Sequence, residues 1–319
     1  MKLYLAGWQA TSAERETQLI KAGATTHRCI SFANLIKMPG WSYYIPGVLE
    51  GYEVCVKHNI GIMFDSGVFS YRQFRRKLIA RDDKKTLAIL PDENAFTQLY
   101  VDYCKKNAKH WDFYVTMDLS FDSAANFKRH VFLEKAGLRP VPVIHGDMDG
   151  RLSILERYKD RGYSYVCLGS DPRTRTSVRQ KRAYFDSAFN ILEKLGMTAH
   201  GLAVTAPWLV LSYPWYSVDS SSWSRAAGYG NIIRFNLQTG RMTSLHISEK
   251  GNIANAKSMS LDAMACGKAM RRAIEAEGYD FTELQESYTA RHEYNAFTMQ
   301  ELAKAANSHN RGEGWRQLF

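Results

Sequence analysis

Short runs of apolar and β-branched residues recur along this chain, each too brief to be a long helix. They are Leu3 to Leu5, Cys29 to Phe32, Gly61 to Phe64, Phe113 to Met117, Val141 to Ile144, Tyr165 to Leu168, Gly201 to Val204 and Tyr216 to Val218. Apolar runs of this length read as buried strands. Between many of them lie amphipathic stretches of helical period, such as Phe96 to Cys104 and Ala183 to Leu195. About eight strands with intervening helices is the count of a (β/α)8 TIM barrel, an α/β fold of typically about 250 residues. An open doubly wound sheet shares this local pattern, because periodicity does not report closure.

The barrel is expected over residues 1–250. After Gly251 the pattern turns helical, with Ser260-Leu261-Asp262 opening one segment and Asp280 capping another that begins Phe281-Thr282-Glu283-Leu284. Residues 251–319 are therefore expected to form a C-terminal helical extension packed on the barrel.

Composition narrows the function. No apolar run approaches the roughly 18 residues a membrane span needs, and the polar start is not a signal peptide, so the expected location is cytoplasmic. The five cysteines, Cys29, Cys55, Cys104, Cys167 and Cys266, form no Cys-x-x-Cys pair and no Cys/His cluster, which predicts free thiols and no structural zinc. A formal charge of +10 favours a polyanionic partner, although solubility alone is a sufficient reason for net charge.

The strand ends carry the chemistry. In a barrel, whatever follows a strand lies on the face where such folds place their active sites. Asp65 closes Ile62-Met63-Phe64, Asp118 follows Tyr114-Val115-Thr116-Met117, and His145-Gly146 follows Pro142-Val143-Ile144. Gly169-Ser170 follows Val166-Cys167-Leu168, and Asp219 follows Tyr216-Ser217-Val218. The plainer reading of each aspartate before serine is a turn or a helix cap. Two sites of one design, repeated by other polar strand ends, point instead to a catalytic pair, Asp65 and Asp219. His200, at the start of its run, reads as a hydrogen-bonded core or rim histidine.

Basic segments follow the same ends. Arg72, Arg75, Arg76, Lys77, Arg81, Lys84 and Lys85 come after the Asp65 strand; Arg173, Arg175, Arg179, Lys181 and Arg182 after Gly169-Ser170; and Arg225 after Asp219. Together they would rim a carboxylate pocket and suit a phosphate backbone. Alternatively, Arg72 to Lys85 form a solvated helix face. Carboxylates under a cationic rim suit glycosidic chemistry, one aspartate attacking the anomeric carbon while another acid handles the proton of the departing base.

At these residues the chain resembles the tRNA-guanine transglycosylase superfamily, and most its phage and bacterial branch that inserts 7-deazaguanines into DNA. Phe64-Asp65-Ser66-Gly67-Val68-Phe69-Ser70 resembles the family's Asp-Ser-Gly-Gly-Phe-Gln motif, and Val115-Thr116-Met117-Asp118 its base-recognising strand. Val143-Ile144-His145-Gly146 resembles the Val-Gln-Gly strand, with His145 in place of Gln, and Tyr165 to Ser170 the strand lying against the base. His200 to Val204 resembles the His-Leu-x-Gly-Ile strand, and Ser217 to Trp223 the strand of the nucleophilic aspartate. The six motifs keep the family's order from Gly61 to Gly230.

The resemblance implies exchange of guanine in DNA for a 7-deazaguanine such as 7-cyano-7-deazaguanine, with no cofactor and no metal. Asp219 would be the nucleophile and Asp65 the acid/base. Ser66, Gly67, Asp118, His145, Gly146, Gly169 and Ser170 would hold the base, while Arg72, Arg75, Arg173, Arg175, Arg179 and Arg225 contact nucleic acid. A helper ATPase or helicase is a further partner to consider. The zinc-binding cysteines of the tRNA enzymes have no counterpart here, which disfavours tRNA as the substrate. Acting on tRNA remains the second reading, and a catalytically silent nucleic-acid-binding barrel the third.

Overall fold

The computed structural model describes residues 1–7, 13–21, 23–37, 40–45, 48–108, 111–119, 122–146, 151–170, 177–248, 259–260 and 267–309. Eight parallel strands form its centre: β1 Lys2–Leu5, β2 His27–Ser31, β3 Ile62–Asp65, β4 Phe113–Tyr114, β5 Val143–Gly146, β6 Tyr165–Ser170, β7 Thr198–Leu202 and β8 Ser217–Ser220. Each pairs with its neighbours in chain order, and β8 pairs with β1 in the register Tyr4 to Asp219. The remaining seam lies between β4 and β5. There Val115 bridges Val141 in parallel, the Val141 N–H donating to the Tyr114 carbonyl at 2.7 Å and the Thr116 N–H to the Val141 carbonyl at 2.9 Å. The ring is thereby joined all round, as the TIM-barrel reading expects and the open-sheet alternative does not.

Helices alternate with the strands. They are α1 Ala13–Lys21, α2 Val48–Lys57, α3 Val68–Ala80, α4 Lys84–Ile89, α5 Glu93–Asn107, α6 Ser123–Lys135, α7 Ile154–Asp160, α8 Val178–Leu195, α9 Pro207–Ser212 and α10 Ser222–Gly228. Tyr4, Cys29, Met63, Val115, Val143 and Cys167 fill the barrel interior, so it is a packed core and not a pore. Outward-facing strand residues such as Leu5, Ile144, Leu168 and Val218 pack with Phe185, Phe189 and Leu192 of α8 and neighbouring residues. On the other side Ile30, Ile62 and Phe64 meet Phe96, Tyr100 and Cys104 of α5. One charged pair is enclosed in this shell: Arg28 Nη2 donates to Glu16 Oε1 at 2.8 Å, tying α1 to β2.

Strand bounds shift from the sequence reading by one to three residues at every barrel strand, and two of the shifts change the local geometry. Phe32 leaves β2 for a short 3-10 turn, Phe32–Asn34. β4 ends at Tyr114, beyond which Val115 makes a single bridge to Val141 and the Thr116 hydroxyl lies 2.6 Å from His130 Nδ1.

Beyond the barrel, β9 Asn231–Asn236 and β10 Arg241–His246 form an antiparallel hairpin that the sequence reading missed, with β11 Met259–Ser260 beside it. Ser260, expected to open a helix, pairs instead with His246 in β11, and 261–266 lie outside the described residues. The helices that follow are α11 Gly267–Ala276, α12 Phe281–Glu286 and α13 Tyr288–His309. Asp280 caps α12 as expected, accepting from the N–H groups of Thr282 and Glu283. Ala296, Met299, Leu302, Ala303 and Ala306 of α13 share one core with Leu3, Leu5 and Trp223, so this last helix is part of the barrel's own shell.

Candidate active site

Three aspartates gather at the C-terminal mouth of the barrel. Asp65 ends β3, Asp118 follows β4, and Asp219 lies in β8. Their proximity is registered by the buried thiol beneath them. Burial pushes the Cys167 thiol well up, and the charges of Asp219, Asp118 and Asp65 push it further. Cys29 next to it responds to burial, then to Asp219 and Asp65. Cys29, Cys55, Cys104 and Cys167 are all free and buried, while Cys266 lies outside the described residues.

Asp65 is held by a local device. Gly67 adopts a left-handed backbone, φ 73°, which turns the chain from β3 into α3 and lets its N–H donate to Asp65 Oδ2 at 3.0 Å. A Cβ there would lie 2.6 Å from the Ala33 nitrogen, so this turn needs glycine. Burial pushes the Asp65 carboxyl up, the neighbouring Asp118 charge pushes it further, and the Gly67 N–H only partly offsets this. The result is a pKa of about 6. Such a carboxyl exchanges protons near neutral pH, as a general acid/base must.

Asp118 is in the opposite condition. Burial pushes it up, but His145 and Ser66 bond to the charged form and hold it below the usual carboxylate range. His145 Nε2 lies 2.5 Å from its Oδ2, and the Ser66 hydroxyl donates to Oδ1 at 3.3 Å. The His145 ring in turn lies over Gly169, where a Cβ would come within 2.8 Å of Nδ1. Two carboxyls with divergent proton affinities thus sit side by side, the usual sign of divided acid and base roles.

Asp219 is 8% exposed, and its Oδ1 accepts from the Ala203 N–H at 2.9 Å and faces His200 Nε2 at 3.1 Å. Ala203 has φ 53°, an uncommon conformation for a residue with a side chain, and the bond to Asp219 is what it delivers. His200 is a fully buried core histidine, as expected, yet its partner is the candidate nucleophile, a link the sequence reading missed. No spacing signal announces it, because residues 19 apart meet only through strand pairing.

The remaining expected residues fall as follows. Gly146 pairs with Ser170 and His145 with Gly169 at the ends of β5 and β6. Arg72 and Arg75 lie on α3, half-buried, Arg72 beside Glu93 at 3.5 Å and Arg75 on the Tyr71 hydroxyl at 3.3 Å. Arg179 and Arg225 are exposed in the first turn of α8 and on α10. Arg173 and Arg175 lie outside the described residues.

Two further side chains at this face had no part in the sequence reading of the site. Arg129 of α6 is half-buried within electrostatic reach of Arg72, Glu93 and Asp118. Phe69, in the first turn of α3, is 70% exposed. Among the described residues, no group of three or more His, Cys, Asp or Glu could hold a metal ion, and no helix is long and apolar enough to cross a membrane.

A closed eight-stranded parallel barrel with carboxylates of split proton affinity at its C-terminal mouth has the anatomy of a TIM-barrel enzyme. No protein-family model matches the sequence, and no curated protein does. Among solved structures, a mandelate racemase/muconate lactonizing protein from Herpetosiphon aurantiacus is similar with a TM-score of 0.36 at 9% identity, over 76% of this chain and 60% of that one. The chain thus spans about 60% of that protein's length.

Proposed function

We propose that this barrel is a DNA-guanine transglycosylase that replaces guanine with a 7-deazaguanine base. The observation that carries the reading is the pairing of Asp65, poised at a pKa of about 6, with Asp219, whose Oδ1 alone is tied down by hydrogen bonds among the described residues. The ordered motifs from Gly61 to Gly230 supply the substrate class. Asp219 Oδ2 attacks C1′ of the target nucleotide as the C1′–N9 bond breaks, and the leaving guanine takes its proton from Asp65. The incoming base then attacks C1′ through N9, returns its N9 proton to Asp65, and releases Asp219 as a carboxylate. Both half-reactions use the same two groups, so no external acid or base is consumed.

Asp118 accepts from the base's N1–H and exocyclic amine, with Ser66 on one of its oxygens and His145 on the other to orient the carboxylate. Phe69 offers a stacking face for a base taken out of the helix. Arg72, Arg75, Arg129, Arg179 and Arg225 supply positive charge for the phosphates.

The test supplies duplex DNA, single-stranded DNA or tRNA together with 7-cyano-7-deazaguanine, then digests each polymer to nucleosides for mass spectrometry. The modified deoxynucleoside should appear in DNA and vanish with Asp219→Ala. Modified tRNA alone would make tRNA the substrate. Salt-sensitive binding without product or trapped adduct would leave a silent nucleic-acid-binding barrel.

A further inference from the structure

A chain of polar side chains runs down the barrel interior from Asp219 towards the N-terminal face. His200 Nε2 is 3.1 Å from Asp219 Oδ1, His200 Nδ1 is 2.5 Å from Ser217 Oγ, and Ser217 Oγ is 2.6 Å from the Tyr165 hydroxyl. His200 and Ser217 are completely buried, and Tyr165 lines a cavity of about 360 Å³ with Asp112, Phe113 and Arg139. Asp219 and Ser217 project inward from β8 two residues apart, β7 supplies His200 opposite Ser217, and Tyr165 opens β6.

Proton counting gives this chain a direction. An ionised aspartate only accepts, so Nε2 must carry the hydrogen that faces it. In a neutral ring Nδ1 is then a bare acceptor, filled by the Ser217 O–H, and Ser217 Oγ accepts in turn from the Tyr165 O–H. Every donor finds an acceptor. The opposite tautomer would aim a lone pair at the carboxylate. An imidazolium would make Nδ1 a second donor aimed at Ser217 Oγ and so break the one-way order of the chain.

We infer that Tyr165, Ser217 and His200 form a one-way donor chain that fixes the Nε2–H tautomer of His200, clamps Asp219 Oδ1 together with the Ala203 N–H, and leaves Oδ2 as the reactive oxygen. The first two parts stand on geometry alone, and the last rests on the transglycosylase reading. His200, Ser217 and Tyr165 are thus positioning residues, acting on the reaction only through Asp219.

The experiment is side-chain nitrogen NMR on the full-length protein labelled with 15N-histidine, the His200 signals assigned by their loss in His200→Gln. The expected result is an Nε2–H tautomer in the wild type, weakened in Ser217→Ala. An Nδ1–H tautomer or an imidazolium in the wild type overturns the inference. In base exchange, Ser217→Ala should lower kcat about tenfold with KM unchanged and Tyr165→Phe less, because each loosens the ring that holds the reacting carboxylate without touching the carboxylate itself. His200→Gln, whose amide N–H can replace Nε2–H, should retain more activity than His200→Ala, and equal loss in both argues against the clamp. Absence of exchange in the wild type would overturn the transglycosylase reading, leaving the tautomer to judge the chain by itself.

Discussion

At the scale of single residues, Asp65 sets the pH behaviour. Its carboxyl rises from 3.8 to about 6 on folding, through burial first and then the Asp118 charge. A raised carboxyl pKa contributes stability that is fully present below about 3.8 and lost as pH rises through about 6, on the order of 3 kcal/mol in all. Asp65→Asn should therefore unfold at higher denaturant concentration than the wild type at pH 8, with the gap shrinking towards pH 4. An unchanged gap would show that Asp65 is not strained. The same residue should make covalent adduct formation fall about tenfold per unit of pH above 6 in single-turnover measurements, since only its protonated form can release guanine. Gly67→Ala tests the turn that holds it. The forced φ of 73° and the contact with Ala33 should lower stability by about 2 kcal/mol in urea unfolding. The strand-end aspartates were legible because carboxylates after apolar runs are conspicuous; the His200 and Ala203 bonds were not, because they cross strands.

At the scale of elements, the Asp280 cap of α12 was legible because capping chemistry is local, whereas Ser260, expected to open a helix, pairs in β11, and the punctuation of α8 was not read. Ser177 and Gln180 form a reciprocal capping box at the start of α8, and Gly196 ends that helix at φ 59°. Ser177→Ala should cost about 1 kcal/mol in urea unfolding, whereas exchange of the neighbouring exposed Arg179 for Gln should leave stability unchanged and weaken nucleic-acid binding. The hairpin of β9 and β10 escaped notice. Its two strands pair with each other, but β9 is also anchored from a distant helix, Asn295 of α13 accepting from the Ile233 N–H at 2.8 Å and donating to the Trp223 carbonyl at 2.9 Å. Of the basic residues on α3, Arg76 and Lys77 are exposed while Arg72 and Arg75 are half-buried, and Glu93, at the start of the later α5, lies beside Arg72, which no local pattern could report.

For the whole molecule, α13 decides integrity. Because its small and apolar side chains belong to the core of β1 and α10, a chain ending at residue 287 should lose cooperative unfolding, as followed by circular dichroism, and not merely shed an appendage. A truncated protein with an intact transition would show that the barrel closes without it. By itself the sequence determined the eight barrel strands, their α/β alternation, the polar strand ends and the Asp280 cap, since each depends on side chains a few residues apart. Only the tertiary structure decided that Val115 meets Val141 to close the ring, that His200 lies against Asp219, and that the proton affinities of Asp118 and Asp65 are driven in opposite directions. Closure, burial and charge coupling are properties of residues distant in the chain, and they exist only once strand pairing has brought those residues together.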